Sequence, residues 1–290
     1  MKRTFVIIAI LFSISSQYVS AQAVQEYSAY LGGGFSPLSY QLTGDANRSG
    51  GFGGNLGVGY TYYFDVIERV TNAGEVQRLQ WGIHSGLGLG FYTAKSNISK
   101  GETTQTLKDE YNHDLVFKTS LSGYTESQTA MYLTIPVMAH LHIAEQFYAK
   151  GGLKAGIPLN GKFSAKNVRI DTKGTYTGIN PEPLVDVPFA GFSSEVHNPK
   201  GNFDLGFAAM LALEGGMRFR ITTDLTVYAG LFFDIGLNNS LKKSSSSFVD
   251  YVKPSGEQPA KLTTNSVLTD YTDKARIMAV GVKVSIGMTR

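Results

Sequence analysis

The chain has no cysteine, a single tryptophan and, after its first residues, no apolar run long enough to cross a bilayer as a helix. Without cysteine there are no disulfides, so an exported form has to be held together by its own architecture. Lipid attachment at a cysteine behind the leader is excluded as well. Without a second long apolar run, a helical membrane protein is excluded. Strong charge of either sign is also missing. The net charge is +3, and removing Lys2 and Arg3 leaves 24 basic residues against 23 acidic ones. A pI of 8.8 is then no sign of a nucleic-acid partner.

The N-terminus has the form of a targeting segment. Lys2 and Arg3 precede the apolar run Phe5 to Phe12, and Val19-Ser20-Ala21 offers small residues for cleavage before Gln22. The run is too short for a span of about 30 Å of hydrocarbon. The expected organisation is a signal peptide over 1–21 and one domain over 22–290.

That domain is built from short stretches in which apolar and small or polar residues alternate. In Asn55 to Phe64, Leu56, Val58, Tyr60, Tyr62 and Phe64 share one face, while Asn55, Gly57, Gly59, Thr61 and Tyr63 share the other. Eight such strands are predicted, at 26–35, 53–64, 79–92, 130–143, 146–159, 204–221, 225–237 and 276–288. Each is about as long as a tilted strand needs to cross a bilayer. A soluble eight-stranded barrel alternates too, with its apolar face inward. Here one face is bulky and aliphatic and the other rich in glycine and charge. The first suits lipid and the second a narrow lumen, so Leu231 is expected to meet lipid and Gly230 the lumen. The 33 glycines, 16 tyrosines and 17 phenylalanines agree with small lumen residues and aromatic belts. A mean hydropathy of −0.07 is no obstacle, because only alternate residues face lipid.

The connections alternate in length. Short ones are expected around Asn72-Ala73-Gly74, at Ala144-Glu145 and at Thr222-Thr223-Asp224, and long loops at 36–52, 93–129, 160–203 and 238–275. Short turns on one rim and long loops on the other are characteristic of outer-membrane barrels, with the long loops outside. Some β character in 164–177 points to a fifth strand that continues above the membrane. The fold class is therefore all-β, an eight-stranded antiparallel up-and-down transmembrane β-barrel with long extracellular loops, in an outer membrane.

Two short motifs carry a family resemblance. Tyr132-Leu133-Thr134-Ile135-Pro136, followed by Phe147-Tyr148-Ala149-Lys150-Gly151-Gly152, resembles the paired strands of the outer-membrane-protein β-barrel domain family of Bacteroidetes-type bacteria, which includes PorT-like proteins. Asp204-Leu205-Gly206-Phe207 resembles that family's entry into its sixth strand. The resemblance implies an eight-stranded barrel related to the OmpA and OmpX membrane domains, with no catalytic residues. The chain departs from the family at Thr134, where an acidic residue is common. It also ends on Gly287-Met288-Thr289-Arg290 without a terminal aromatic.

Strand phase turns a set of charges inward: Lys150, Lys154, Glu214, Arg218, Arg220, Asp234 and Lys283, with His84 near the level of Lys154, Glu214 and Lys283. Glu214 is expected to be the acidic centre among Lys154, Arg218 and Lys283. In a lumen barely wide enough for side chains, such charges pair and plug. Their basic excess would otherwise suit a narrow, anion-preferring channel. His140 and His142 face the same way, but no third ligand stands at a readable spacing, so no metal site is expected. His113 and His197 lie in loops with no neighbouring G-x-S-x-G turn, so an enzyme is not expected either. The Gly-rich run from Gly50 lacks the lysine of a phosphate loop. No cofactor is implied.

The expected role is a structural or interaction scaffold that presents surface loops to a protein partner, with outer-membrane lipid around it. The alternatives are a narrow channel, or the barrel component of a secretion or surface-assembly machine. The expected partner surface is the longest loop, through Leu184, Val185, Val187, Phe189 and Phe192, because exposed apolar clusters mark binding surfaces. The competing expectation is that these residues fold over the barrel mouth as a lid.

Overall fold

A computed structural model describes residues 24–42, 46–64, 66–70, 76–108, 112–166, 168–178, 182–243 and 247–290. The expected leader and the Asn72-Ala73-Gly74 turn lie outside the described residues. Eight antiparallel strands form the wall: β1 (Val24–Phe35), β2 (Phe52–Tyr63), β3 (Val76–Lys108), β4 (Asp114–Ile143), β5 (Phe147–Lys166), β6 (Ala208–Arg220), β7 (Leu225–Gly236) and β8 (Ala275–Thr289). Each pairs with the next along the chain, and β8 pairs back onto β1 through Glu26↔Thr289 to Phe35↔Val280, which closes the ring. Closure matters because every wall strand then has a backbone partner on both sides, as a span through hydrocarbon requires.

The alternation sets the faces as expected. Leu31 is 67% exposed, Leu231 65% and Val282 62%, while the residues between them point inward. Aromatic side chains rim this aliphatic band. On one side Tyr27 lies against Tyr60 at 5.3 Å and Phe64 stacks on Trp81 at 4.2 Å. On the other stand Phe35, Phe52, Phe207 and Phe233. Along β1, Tyr27 and Phe35 are eight residues apart, about 26 Å of strand. The band is thus on the scale of the roughly 25 Å apolar belt of outer-membrane barrels.

Two tight turns close the first rim. Ala144 adopts a left-handed conformation (φ 53°) between β4 and β5. Thr222 Oγ1 accepts the Leu225 amide at 3.1 Å between β6 and β7.

The opposite rim differs from the expected set of loops. Residues 93–129 are largely a continuation of β3 and β4, paired from Thr93↔Thr129 to Lys108↔Asp114. Threonine, serine and lysine leave this segment no apolar face by which to read a strand, yet alternation persists in which side chains are buried. The wall grows further here. β5 runs on to Lys166, and a ninth strand (Val168–Tyr176) pairs with the outer half of β4. Leu159 is left over where the β4–β5 register slips between Met131 and Tyr132, next to Pro158, a bulge at the membrane edge. The sixth strand begins at Ala208, not at 204, because Leu205 leaves the wall to bridge Leu241.

The interior has two storeys. Near the tight turns it is polar and charged. Beyond the membrane band it is largely apolar, with Tyr92, Tyr132, Met210 and Ile277 of the wall packed under Leu38, Phe248, Val267 and Leu268. The last three come from 238–274, so part of that loop is folded into the barrel mouth.

Glycine placement follows from wall curvature. A Cβ on inward Gly230 would lie 2.4 Å from the Gly215 carbonyl oxygen, whereas one on outward Gly215 meets nothing nearer than 3.6 Å. Replacing Leu231 by arginine should cost about 2–4 kcal/mol in vesicle refolding, as charge at the lipid midplane does. Gly230→Ser should cost about 1–3 kcal/mol through overpacking, while Gly215→Ala stays near neutral. A tolerant Leu231→Arg variant would show that the outer face does not meet lipid.

Candidate functional site

The inward charges form two ion-pair sets, in which one contact joins neighbouring strands and two reach past the strand between. Glu214 (β6) lies directly across from Lys150 (β5) in the ladder, and their charged atoms are 3.7 Å apart. Lys283 (β8) reaches the other oxygen of Glu214 at 2.6 Å. It can do so because its cross-strand neighbours are Gly32 and Gly230, which leave its stem free to cross the lumen. On the way the ammonium passes the rings of Tyr30 at 4.9 Å and Phe232 at 5.2 Å, which favour a desolvated cation. Lys154 pairs with Asp234 at 2.6 Å.

The expected partners of Glu214 are therefore corrected. Lys283 is one, but Lys150 takes the place of Lys154, which Asp234 holds. Arg218 stays at the turn rim, where it donates to the carbonyl of Glu145 at 2.8 Å and to His142 Nδ1 at 2.9 Å. Arg220 is exposed at the same rim. Phase alone gives the direction of a side chain and a rough height, whereas the pairing depends on which strands are neighbours and how the ladder is staggered.

A second group below these pairs is only partly legible in the sequence. The Tyr228 hydroxyl donates to Glu26 at 2.5 Å and lies 3.2 Å from His142 Nε2. The Tyr63 hydroxyl lies 2.9 Å from His140 Nδ1 and 3.1 Å from His142 Nε2. His84 meets Thr61 at 2.9 Å, with its ring over Gly59, where a Cβ would sit 2.4 Å away. Both histidines of the two-residue pair face the lumen as their spacing requires, and what they meet there is tyrosine. The sequence does not single out Glu26, because Gly32-Gly33-Gly34 blurs the phase of β1. Counting back from Tyr30 and Ser28 would have placed it inward. It alters the charge balance: Lys150, Lys154 and Lys283 face Glu26, Glu214 and Asp234, so the basic excess disappears from the buried lumen.

The void left among these groups, lined by Tyr30, His84, Lys150, Lys154, Glu214 and Lys283, measures about 10 Å3. That is room for one water.

Above the membrane band a buried carboxylate ties the mouth shut. Glu126 on β4 accepts from Ser266 Oγ at 2.5 Å, the Val267 amide at 3.0 Å, Gln128 at 2.8 Å and the Tyr124 hydroxyl. The first two donors belong to the mouth-filling segment and the last two to the wall. Burial pushes the Glu126 carboxyl above its ordinary range, against these hydrogen bonds.

The expected partner loop divides. Phe192 is buried against Leu115 and Phe117 at the tip of the β3–β4 hairpin, with Leu184 packed beside it. Val185, Val187 and Phe189 stay exposed at 51%, 39% and 49%. The segment is therefore divided, with Leu184 and Phe192 packed on the hairpin tip and Val185, Val187 and Phe189 open to solvent.

A closed ring of eight antiparallel strands, apolar outside and charged within, defines a transmembrane β-barrel. Residues 21–242 match the family described as outer membrane protein beta-barrel domain, and the chain belongs to it. The match reaches the family without singling out its PorT-like branch. Among curated proteins nothing matches. Among solved structures, the chain is similar to the transport unit of the autotransporter AIDA-I from Escherichia coli. Identity is 8%, coverage 94% of this chain and 92% of that one, and the TM-score 0.18. It is also similar to the translocator domain of the autotransporter NalP from Neisseria meningitidis, at 8% identity, 99% and 95% coverage and a TM-score of 0.14. TM-scores this low carry no argument. The placement in an outer membrane rests on the family and the lipid-facing band.

Glu214→Gln should destabilise the barrel by about 3–5 kcal/mol, since it strands Lys150 and Lys283 without a counter-charge. Adding Lys283→Met should recover part of the loss in a urea-refolding cycle; strict additivity would refute the coupling. For Glu126 the sign runs toward acid. With its folded-state pKa raised above the ordinary 4.5, its contribution is greatest below that pH and is lost as pH rises through the raised value. The thermal midpoint of the wild type relative to Glu126→Gln should accordingly improve from pH 8 to pH 5. A pH-independent difference would show that the carboxyl does not titrate there.

Proposed function

We propose that this barrel is an outer-membrane anchor that holds a folded cap outside the cell and offers it to a protein partner. The supporting observation is the exposed apolar set Val185, Val187 and Phe189, carried on a segment that Phe192 and Leu184 fasten to the hairpin tip. Rigidly mounted loops are where binding residues concentrate, and an apolar set that stays in water beside a packed one costs solubility unless something covers it. The lumen argues against the channel alternative, because its charges are paired and the void between them holds about one water. Membership of a secretion or surface-assembly machine would be one form of this reading. No catalytic step is part of it.

The test uses the triple variant Val185→Ser, Val187→Ser, Phe189→Ser, in which the packed residues stay intact. Cross-linking on intact cells should capture a partner with the wild type, and recovery should fall at least tenfold with the variant while heat-modifiable folding is unchanged. Equal recovery would remove this surface from the proposal. A steady ohmic conductance from the wild type in planar bilayers would restore the channel reading.

A further inference from the structure

Beneath the exposed set lies a feature of different chemistry. Leu107 and Leu115 from the β3–β4 tip, Leu184 and Phe192 from the following segment, and Tyr251 and Pro254 from the hairpin Val249–Val252/Lys261–Thr264 line a partly open cavity of about 250 Å3. Its walls are fixed. Phe117 lies 4.7 Å from Tyr251 and 6.1 Å from Phe192 between ring centres, and the Tyr251 hydroxyl donates to the Ala190 carbonyl at 2.9 Å. Three separate loop regions contribute, so this is a built cavity and not a dent in one of them.

Among the described residues, the charged groups of its lining are of one sign. Lys108 and Lys253 are the charged residues of the lining, and no carboxylate is among them. Lys108 is engaged by Asp114 at 3.2 Å. Lys253 has no carboxylate partner among the described residues. An apolar chamber with a solvent-exposed ammonium at its rim, unpaired among the described residues, suits an apolar body that carries one negative charge.

We propose that this cavity binds a small anionic amphiphile, with its apolar body against Leu107, Leu115, Leu184 and Phe192 and its anionic group at Lys253. A 150 Å3 apolar cavity takes benzene, so about 250 Å3 takes a body on the order of ten heavy atoms. A medium-chain carboxylate has that size and charge. The ligand comes from the medium and not from the bilayer. Leu107 is sixteen residues beyond Phe91 along β3, about 50 Å of strand above the membrane edge. The site is separate from the exposed protein-binding set, and either can fail without the other.

The probes are octanoate, 1-octanol and octylamine, equal in chain length and different in charge. They are titrated into the full barrel in lipid nanodiscs and followed through the labelled methyls of Leu107, Leu115 and Leu184. Site-specific shifts separate occupancy of the cavity from partition into lipid. Octanoate should shift these methyls saturably and bind at least tenfold more tightly than octylamine. Lys253→Glu should weaken octanoate at least tenfold. Ala190→Phe, which fills the chamber from its wall, should abolish the shifts; if that variant fails to fold, the Lys253→Glu comparison stands alone. Equal affinity for the three probes, an indifferent Lys253→Glu variant or the absence of saturable shifts would each overturn the proposal. Absent shifts combined with retained partner capture would make the cavity a packing defect under a protein-binding surface.

Discussion

Everything in this molecule depends on closing a sheet of eight strands on itself. Closure gives each wall strand two backbone partners, which is the condition for standing in hydrocarbon. It also fixes a small radius. An eight-stranded ring leaves an interior about as wide as the side chains that fill it. The glycines of the inner face follow from that radius, because inward Cβ positions converge on the opposing backbone, as at Gly230. So does the need to pair every buried charge, because water cannot enter to screen an unpaired one.

The lower storey meets that need with long side chains crossing a space that glycine has emptied. Lys283 reaches Glu214 between Gly32 and Gly230, and Lys154 reaches Asp234. Ion pairs of this kind do little for net stability against a hydrophobic alternative, but removing one partner is expensive. Their physical consequence here is rigidity and closure. Tyr63 and Tyr228 continue the network to the turn rim through the two histidines and Glu26.

Above the membrane band the constraint relaxes and the architecture changes. β3, β4 and β5 run on as a polar sheet, and the loop before β8 drops apolar residues into the mouth. Glu126 links that loop to the wall through Ser266 and Val267. The outer end is thus a folded cap with its own core, its own cavity and an exposed apolar set, mounted on a closed base. The room for a ligand is there and not in the lumen.

The sequence by itself determined the eight membrane-crossing strands, their faces and the tight turns after Ile143 and Arg220. These depend on a two-residue period and on turn composition, both of which are local. The inward direction of Lys150, Lys154, Glu214, Asp234, Lys283 and His84 was legible for the same reason. Their pairing was not, because whether Glu214 meets Lys150 or Lys154 depends on the stagger between neighbouring strands and on space left by glycines far away in sequence. The long β3–β4 hairpin stayed hidden because threonine-rich strands outside the membrane carry no hydrophobic alternation. The division of the 184–192 segment into packed and exposed residues was decided only in three dimensions. Leu184 and Phe192 differ from Val185 and Phe189 in nothing but what stands opposite them, and what stands opposite is Leu115, Phe117 and Tyr251 from distant parts of the chain.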